Sequence, residues 1–152
     1  MSAELREATR ADLDALLGLI ANLYSHECIR FRPSDVTRAL VGLIDTPALG
    51  GVWLITEGEA DALGYLVLTF SYSLELGGRY ALIDELYVKP EHRGQGLGSM
   101  ALRQAEAACR ALGVRALRLE ADRANSGALR LYSRLGFRAE SRDLLTLRLT
   151  DQ

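Results

Sequence analysis

The chain has 152 residues, 49% hydrophobic and 25% charged, which excludes a disordered chain and allows one domain, residues 1–152, with a sizeable core. Its formal net charge of −2 leaves no electrostatic footprint for general nucleic-acid or membrane-surface binding. The N-terminal "MSAELREATRADL" has no apolar h-region, no apolar stretch is long enough for a bilayer span, and Cys28, Cys109, His26 and His92 lack metal-ligand spacing, so the expectation is a cytoplasmic protein with reduced thiols and no metal.

"AELREA" (3–8) reads as a first strand. Thr9 and Asp12 then form a T-x-x-D capping box, and Leu13, Leu16, Leu17, Ile20, Leu23 and Tyr24 recur at helical spacing. A second helix is expected behind Ser34 as its cap, with Val36, Ala39, Leu40, Leu43 and Ile44 on its apolar face, ended by Pro47 and Gly50-Gly51. Strands follow at 51–58, 62–73 and 80–90, separated by turns at Gly58 and at "ELGGR" (75–79) and closed by Pro90. Leu97, Ala101, Ala105, Ala108 and Leu112 mark the next helix, with Gly113 at its C′ position. "VRALRLEA" (114–121) alternates as a strand, and Ala128, Leu131, Tyr132 and Leu135 mark a last helix ended by Gly136. "FRAE" and "DLLTLRLT" read as a closing hairpin. The order β-α-α-β-β-β-α-β-α-β-β is that of a mixed α/β domain, α+β in having a mixed sheet.

Gly94, Gly96 and Gly98 fall within five positions, between a strand and a helix. Free N–H groups at such a helix start, aided by the helix dipole, favour an anion, most naturally a phosphate or pyrophosphate. Arg93 at the entrance suits the same partner. A P-loop would need a Gly-Lys-[Ser/Thr] ending, and no lysine follows Lys89. A dinucleotide loop would need G-x-G-x-x-G, but the third position is Ser99 or Ala101. Glu120 stands about where a ribose-binding acid would be expected, so a dinucleotide enzyme with a parallel sheet remains an alternative.

"RGQGLG" (93–98) matches [QR]-x-x-G-x-[GA], and with "IDELYVKPEH" before it and "RLEADRANSGALRLYSRLGF" after it the stretch 82–138 resembles the GNAT N-acetyltransferase superfamily. The match includes an N-x-x-A-x-x-L-Y-x-x-x-G-F pattern at Asn125, Ala128, Leu131, Tyr132, Gly136 and Phe137. The resemblance implies that fold and direct transfer of an acetyl group from acetyl-CoA to an amine. It also implies that the backbone of Arg93, Gly94, Gln95, Gly96, Leu97, Gly98 and Ser99 holds the pyrophosphate. The pantetheine arm would run along Leu86, Tyr87 and Val88, with an N–H of Tyr87 or Leu86 polarising the thioester carbonyl. Asn125, with Ala128 in the same motif, would bond that arm. Tyr132 would donate a proton to, or hydrogen-bond, the leaving thiolate.

The amine must lose a proton before it can attack, and a carboxylate could take it directly or through one water. Asp84 and Glu85 are the candidates. Adjacent strand residues face opposite sides unless a bulge intervenes. The stretch is similar to the polyamine-acetyltransferase branch, where the catalytic acid aligns with Asp84 and a second acid follows at Glu85. The resemblance places the acceptor wall in "LYSHECIRFRP" (23–33) and "SYSLELGG" (71–78), where Tyr24, His26, Glu27, Tyr72 and Glu75 are the polar and aromatic candidates. His26 reads as a helix-end residue interacting with the dipole rather than as a catalytic base. A small molecule or a peptide amine would serve as acceptor. A homodimer through the C-terminal strands is a further expectation, and a coenzyme A-binding module without turnover is the rival reading.

Overall fold

The computed structural model describes residues 2–150. Five strands form one sheet in sequence order: β1 (Ala3–Glu7), β2 (Gly50–Glu57), β3 (Gly64–Ser73), β4 (Gly78–Val88) and β5 (Leu117–Leu119). The first four run antiparallel to their neighbours, and β5 alone is parallel to β4. This mixed sheet excludes the parallel one that the dinucleotide alternative requires.

The helices are α1 (Leu13–His26), α2 (Pro33–Asp45), α3 (Leu97–Ala111) and α4 (Ser126–Arg134). Thr9 and Asp12 do form a capping box: Thr9 N–H donates to the Asp12 carboxylate at 2.8 Å. It caps a short 3-10 turn, Arg10–Asp12, that leads into α1. The second helix starts earlier than Ser34, because Pro33 takes the first helical position and Arg32 the N-cap. Proline's fixed φ and missing N–H suit that position.

Alternation along the strands divides the core in two. Leu54, Tyr65, Val67 and Tyr87 pack with Leu16, Leu19, Ile20 and Leu40 of α1 and α2. Leu66, Leu68, Ala81 and Ile83 face the other way, against Leu97, Ala101, Leu102 and Ala105 of α3, with Leu131, Tyr132 and Leu135 around the edge. Among the described residues, no helix is long and apolar enough to cross a membrane.

The expected closing hairpin does not form: residues 137–150 contain no strand. β5 is only three residues long, so it offers little edge to extend. Side-chain pairs hold the segment instead, Arg142 with Glu75 at 3.1 Å and Arg123 with Asp143 at 2.6 Å. Leu144, Leu145, Leu147 and Leu149 are left 74–89% exposed.

Gly64 shows how closely β3 and β4 approach. A Cβ there would lie 2.1 Å from the Tyr87 carbonyl oxygen, a backbone atom that cannot rotate away. Gly64→Ala should therefore cost about 2 kcal/mol or more. Thermal unfolding should show the midpoint lowered by about 5 °C or more; an unchanged midpoint would mean that the strands separate freely there.

Candidate active site

β4 pairs with β5 only over Ala81–Ile83 against Leu117–Leu119. Beyond Leu119 the chain turns away, and the Asp122 carboxylate accepts the Ala124 N–H at 2.9 Å. Asp84–Val88 therefore has an open edge on the β5 side. Lys89 N–H bonds the Leu63 carbonyl across β3 at 2.9 Å. By alternation the amides of Tyr87 and Glu85 also face β3, and those of Leu86 and Val88 face the gap. Of the two amides expected to polarise a carbonyl, Tyr87's is committed to the sheet and Leu86's is free.

The same strand carries a bulge. Val67 pairs with Glu85 but Leu68 pairs with Ile83, so Asp84 has no partner. The extra residue resets the alternation. Ile83 and Leu86 both face α3, which leaves Asp84 and Glu85 together on the α1–α2 side. The bulge thus brings both acids to one face.

Glu85 is half-buried between two phenols. Its Oε2 accepts from the Tyr24 hydroxyl and its Oε1 from the Tyr65 hydroxyl, each at 2.6 Å. Burial pushes its carboxyl up, the two hydroxyl bonds oppose that, and the charge of Asp84 adds to it. Burial also raises the carboxyl of Asp84, whose side is more open to solvent. Both phenols are pushed well up, by burial first and then by the charge and bonds of Glu85. Tyr65 is fully buried in β3. It read from the sequence only as an apolar strand position, and nothing local marked its hydroxyl.

The glycine loop follows a 3-10 turn, Pro90–His92. Gly94 and Gly96 have φ of +77° and +79°, and a Cβ at either position would meet nothing within 4 Å, so backbone conformation and not crowding requires glycine there. Gly98 lies inside α3 at negative φ and would meet Leu131 only at ordinary contact distance. Met100 N–H is bonded to the Gly96 carbonyl at 3.0 Å, which leaves the amides of Leu97, Gly98 and Ser99 without intrahelical acceptors. Gln95 is exposed between the two positive-φ glycines. The Arg93 amide is bonded to Pro90, and its Nε donates to the Val88 carbonyl at 2.9 Å. The Arg93 guanidinium lies 5.7 Å from the Tyr87 ring centre, folded back along β4. It borders a cavity of about 360 Å³ shared with Asn22, Ser25, His26, Tyr87 and Pro90.

Tyr132 lies on α4, on the α3 side of the sheet, with its ring edge-on to Phe137 at 6.1 Å. Burial pushes its phenol up. Asn125 caps α4: its Oδ1 accepts the Ala128 N–H at 3.0 Å.

The expected acceptor residues are only partly brought together. Tyr24 meets Glu85. Glu27 is exposed at the C-cap of α1. Tyr72 lies five residues beyond Val67, roughly 16 Å along β3, and shares a face with Phe70, away from Glu85. Glu75 is exposed on the β3–β4 turn and paired with Arg142. In the α1–α2 connection, the buried Nε of Arg32 has no hydrogen-bond partner, a position that sequence patterning does not signal.

A family model described as "Acetyltransferase (GNAT) family" matches residues 19–137. Thialysine N-epsilon-acetyltransferase of Bos taurus is 33% identical over 140 residues, 87% of this chain and 82% of that protein. Aminoalkylphosphonate N-acetyltransferase of Salmonella typhimurium is 31% identical over 135 residues, 89% of this chain and 84% of that one. A solved integron cassette protein from the mobile metagenome of Cole Harbour Salt Marsh superposes with a TM-score of 0.85 at 36% identity, covering 97% and 91% of the two chains. The chain belongs to the acetyltransferase (GNAT) family and is an N-acetyltransferase.

The two phenols on Glu85 predict a titration. In near-ultraviolet phenolate absorbance, wild type and Tyr24→Phe should coincide up to about one unit above the ordinary tyrosine value. They should diverge only at higher pH, where Tyr24 ionises. Divergence near the ordinary value, with native circular dichroism, would mean that the Tyr24–Glu85 bond is absent in solution.

Proposed function

We propose that this member of the GNAT acetyltransferase family transfers acetyl from acetyl-CoA to the primary amine of a small molecule that also bears an acidic group. The observation that carries the reading is the open edge of β4 beyond Ile83, with two carboxylates on one side of the sheet and Tyr132 on the other. A thioester laid along that edge would be reached by the amine from the acid side. Its leaving thiolate would face α4.

The unbonded amides of Leu97, Gly98 and Ser99, with the exposed Gly94–Gly96 backbone, suit the pyrophosphate of coenzyme A. Leu86 and Val88 offer main-chain groups to the pantetheine arm. The Leu86 N–H is the group we assign to the thioester oxygen. Asn125 bonds the arm through the amide nitrogen that its capping role leaves free. Asp84 takes the amine's proton, directly or through one water, because Glu85 already accepts two hydroxyls. As the C–N bond forms, the carbonyl electron pair moves to oxygen against the Leu86 amide. Its return breaks the C–S bond, and Tyr132, kept protonated by burial, gives its proton to sulfur.

Thialysine and aminoalkylphosphonates each join a primary amine to an acidic group. Arg32 is the cation we assign to that group here. The free Cys28 and Cys109 fit a cytoplasmic setting. The exposed leucines of residues 144–149 support a homodimer in which a second copy covers them.

Thermal unfolding with acetyl-CoA, coenzyme A, NAD and ATP in parallel tests the donor: only the two coenzyme A species should raise the midpoint. Tyr132→Phe and Asp84→Asn should each lower kcat about 100-fold without abolishing that rise. Because Asp84 must be ionised to accept a proton and burial raises its carboxyl, kcat/KM should fall with falling pH above the ordinary aspartate range. Asp84→Asn should remove that limb. Binding with no turnover on any amine would instead identify a coenzyme A-binding module.

The dimer makes a separate prediction. Light scattering should give twice the 16.7 kDa chain mass, and Leu145→Glu with Leu147→Glu should give the monomer with coenzyme A binding intact. A monomeric wild type would rule the dimer out.

A further inference from the structure

The connection between α1 and α2 starts on the last turn of α1, where Leu23 and Ser25 accept the Glu27 and Cys28 amides, and Tyr24 ties its middle. The Tyr24 carbonyl accepts the Ile29 N–H at 2.8 Å. Its ring packs edge-on against Phe31, centres 6.0 Å apart. Its hydroxyl reaches across to Glu85 on the β4 bulge at 2.6 Å. Ile29 and Phe31 are therefore tied to Tyr24. The same connection contains Cys28 at φ +56°, a conformation that a residue with a Cβ adopts only when its surroundings impose it.

Glu85 holds Tyr24, and Tyr65 holds Glu85. The Tyr65 hydroxyl sits on the other carboxylate oxygen at 2.6 Å. Its ring is fully buried in β3 between β2 and β4 and packs 6.1 Å from the Tyr87 ring. Tyr65 cannot swing with the substrate side, whereas α1 meets the sheet only through side chains. The chain of contacts runs from a fixed strand residue, through one carboxylate, to the wall formed by the connection. Deprived of one donor, a half-buried carboxylate has an unmet lone pair and a freer torsion.

We propose that Tyr65 is a positioning residue for the acceptor: with Glu85 it forms a fixed post that holds Tyr24 and so sets Ile29 and Phe31 in the wall of the acceptor site. The proposal rests on the reading of that connection as the acceptor wall. It assigns Glu85 a task distinct from that of Asp84. Tyr65 touches neither substrate and acts only through Glu85.

The test uses the full chain as wild type, Tyr24→Phe, Tyr65→Phe and the double variant, with thialysine as acceptor and acetyl-CoA as donor. Each single variant should raise the acceptor KM about tenfold, the size of one lost charge-assisted hydrogen bond. The double variant should raise it no further than about tenfold, because both act through one carboxylate. The KM for acetyl-CoA and kcat should stay within about twofold.

Hydrogen exchange supplies a readout independent of turnover. In Tyr65→Phe the Ile29 amide should exchange about ten times faster, while the amides of α3 keep their wild-type rates. An unchanged Ile29 rate would overturn the proposal, as would an acceptor KM that stays put or effects that multiply in the double variant. If wild type binds coenzyme A but does not acetylate thialysine, the acceptor reading fails and the exchange result alone decides whether Tyr65 holds the connection.

Discussion

Strand β4 carries one residue more than β3 between its pairings with Leu68 and Val67, and both halves of the site depend on that residue. Without the bulge at Asp84, alternation would send Asp84 and Glu85 to opposite faces. With it, Ile83 still packs on α3 and Tyr87 still packs on α1. The strand satisfies both cores while turning two carboxylates to one side. The bulge also falls where pairing with β5 ends. One local irregularity thus coincides with the open edge and the acids.

The two acids are neighbours in sequence and unlike in environment. Glu85 gains two hydroxyl donors and is fixed. Burial without a cation is costly for a carboxylate, and two short charge-assisted bonds offset part of that cost. Asp84 lies on the more open side, shifted by burial alone. The difference is the ground on which we propose separate tasks for them, Glu85 in holding structure and Asp84 in exchanging a proton.

On the donor side, backbone groups outnumber charged ones. The αL conformation of Gly96 starts α3 abruptly, so the first helical amides point out of an exposed loop. Arg93, the one formal cation in the loop, is tied back to Val88 and lies over Tyr87. The pyrophosphate we propose for this loop would draw on N–H groups and the helix dipole more than on a full positive charge.

The sequence by itself determined the element order as far as α4, the capping box at Thr9, the C′ glycine at Gly113 and the family, because those signals are local: periodicity, caps and a glycine spacing followed by a helix. The glycine loop before α3 was legible for the same reason, and so were Tyr132 and the acid pair as candidates. It also pointed to a closing hairpin from the alternation of residues 143–150, but a strand forms only where an edge in register can pair with it, and β5 supplies almost none. Tertiary structure alone decided that the bulge sits at Asp84, that Leu86 and not Tyr87 has the free amide, and that Tyr72 lies on the far face. It also decided that Tyr65 and Tyr24, separated by 41 positions in the chain, meet on one carboxylate. Those outcomes depend on register between strands and on the packing of α1 across them, which no stretch of sequence encodes on its own.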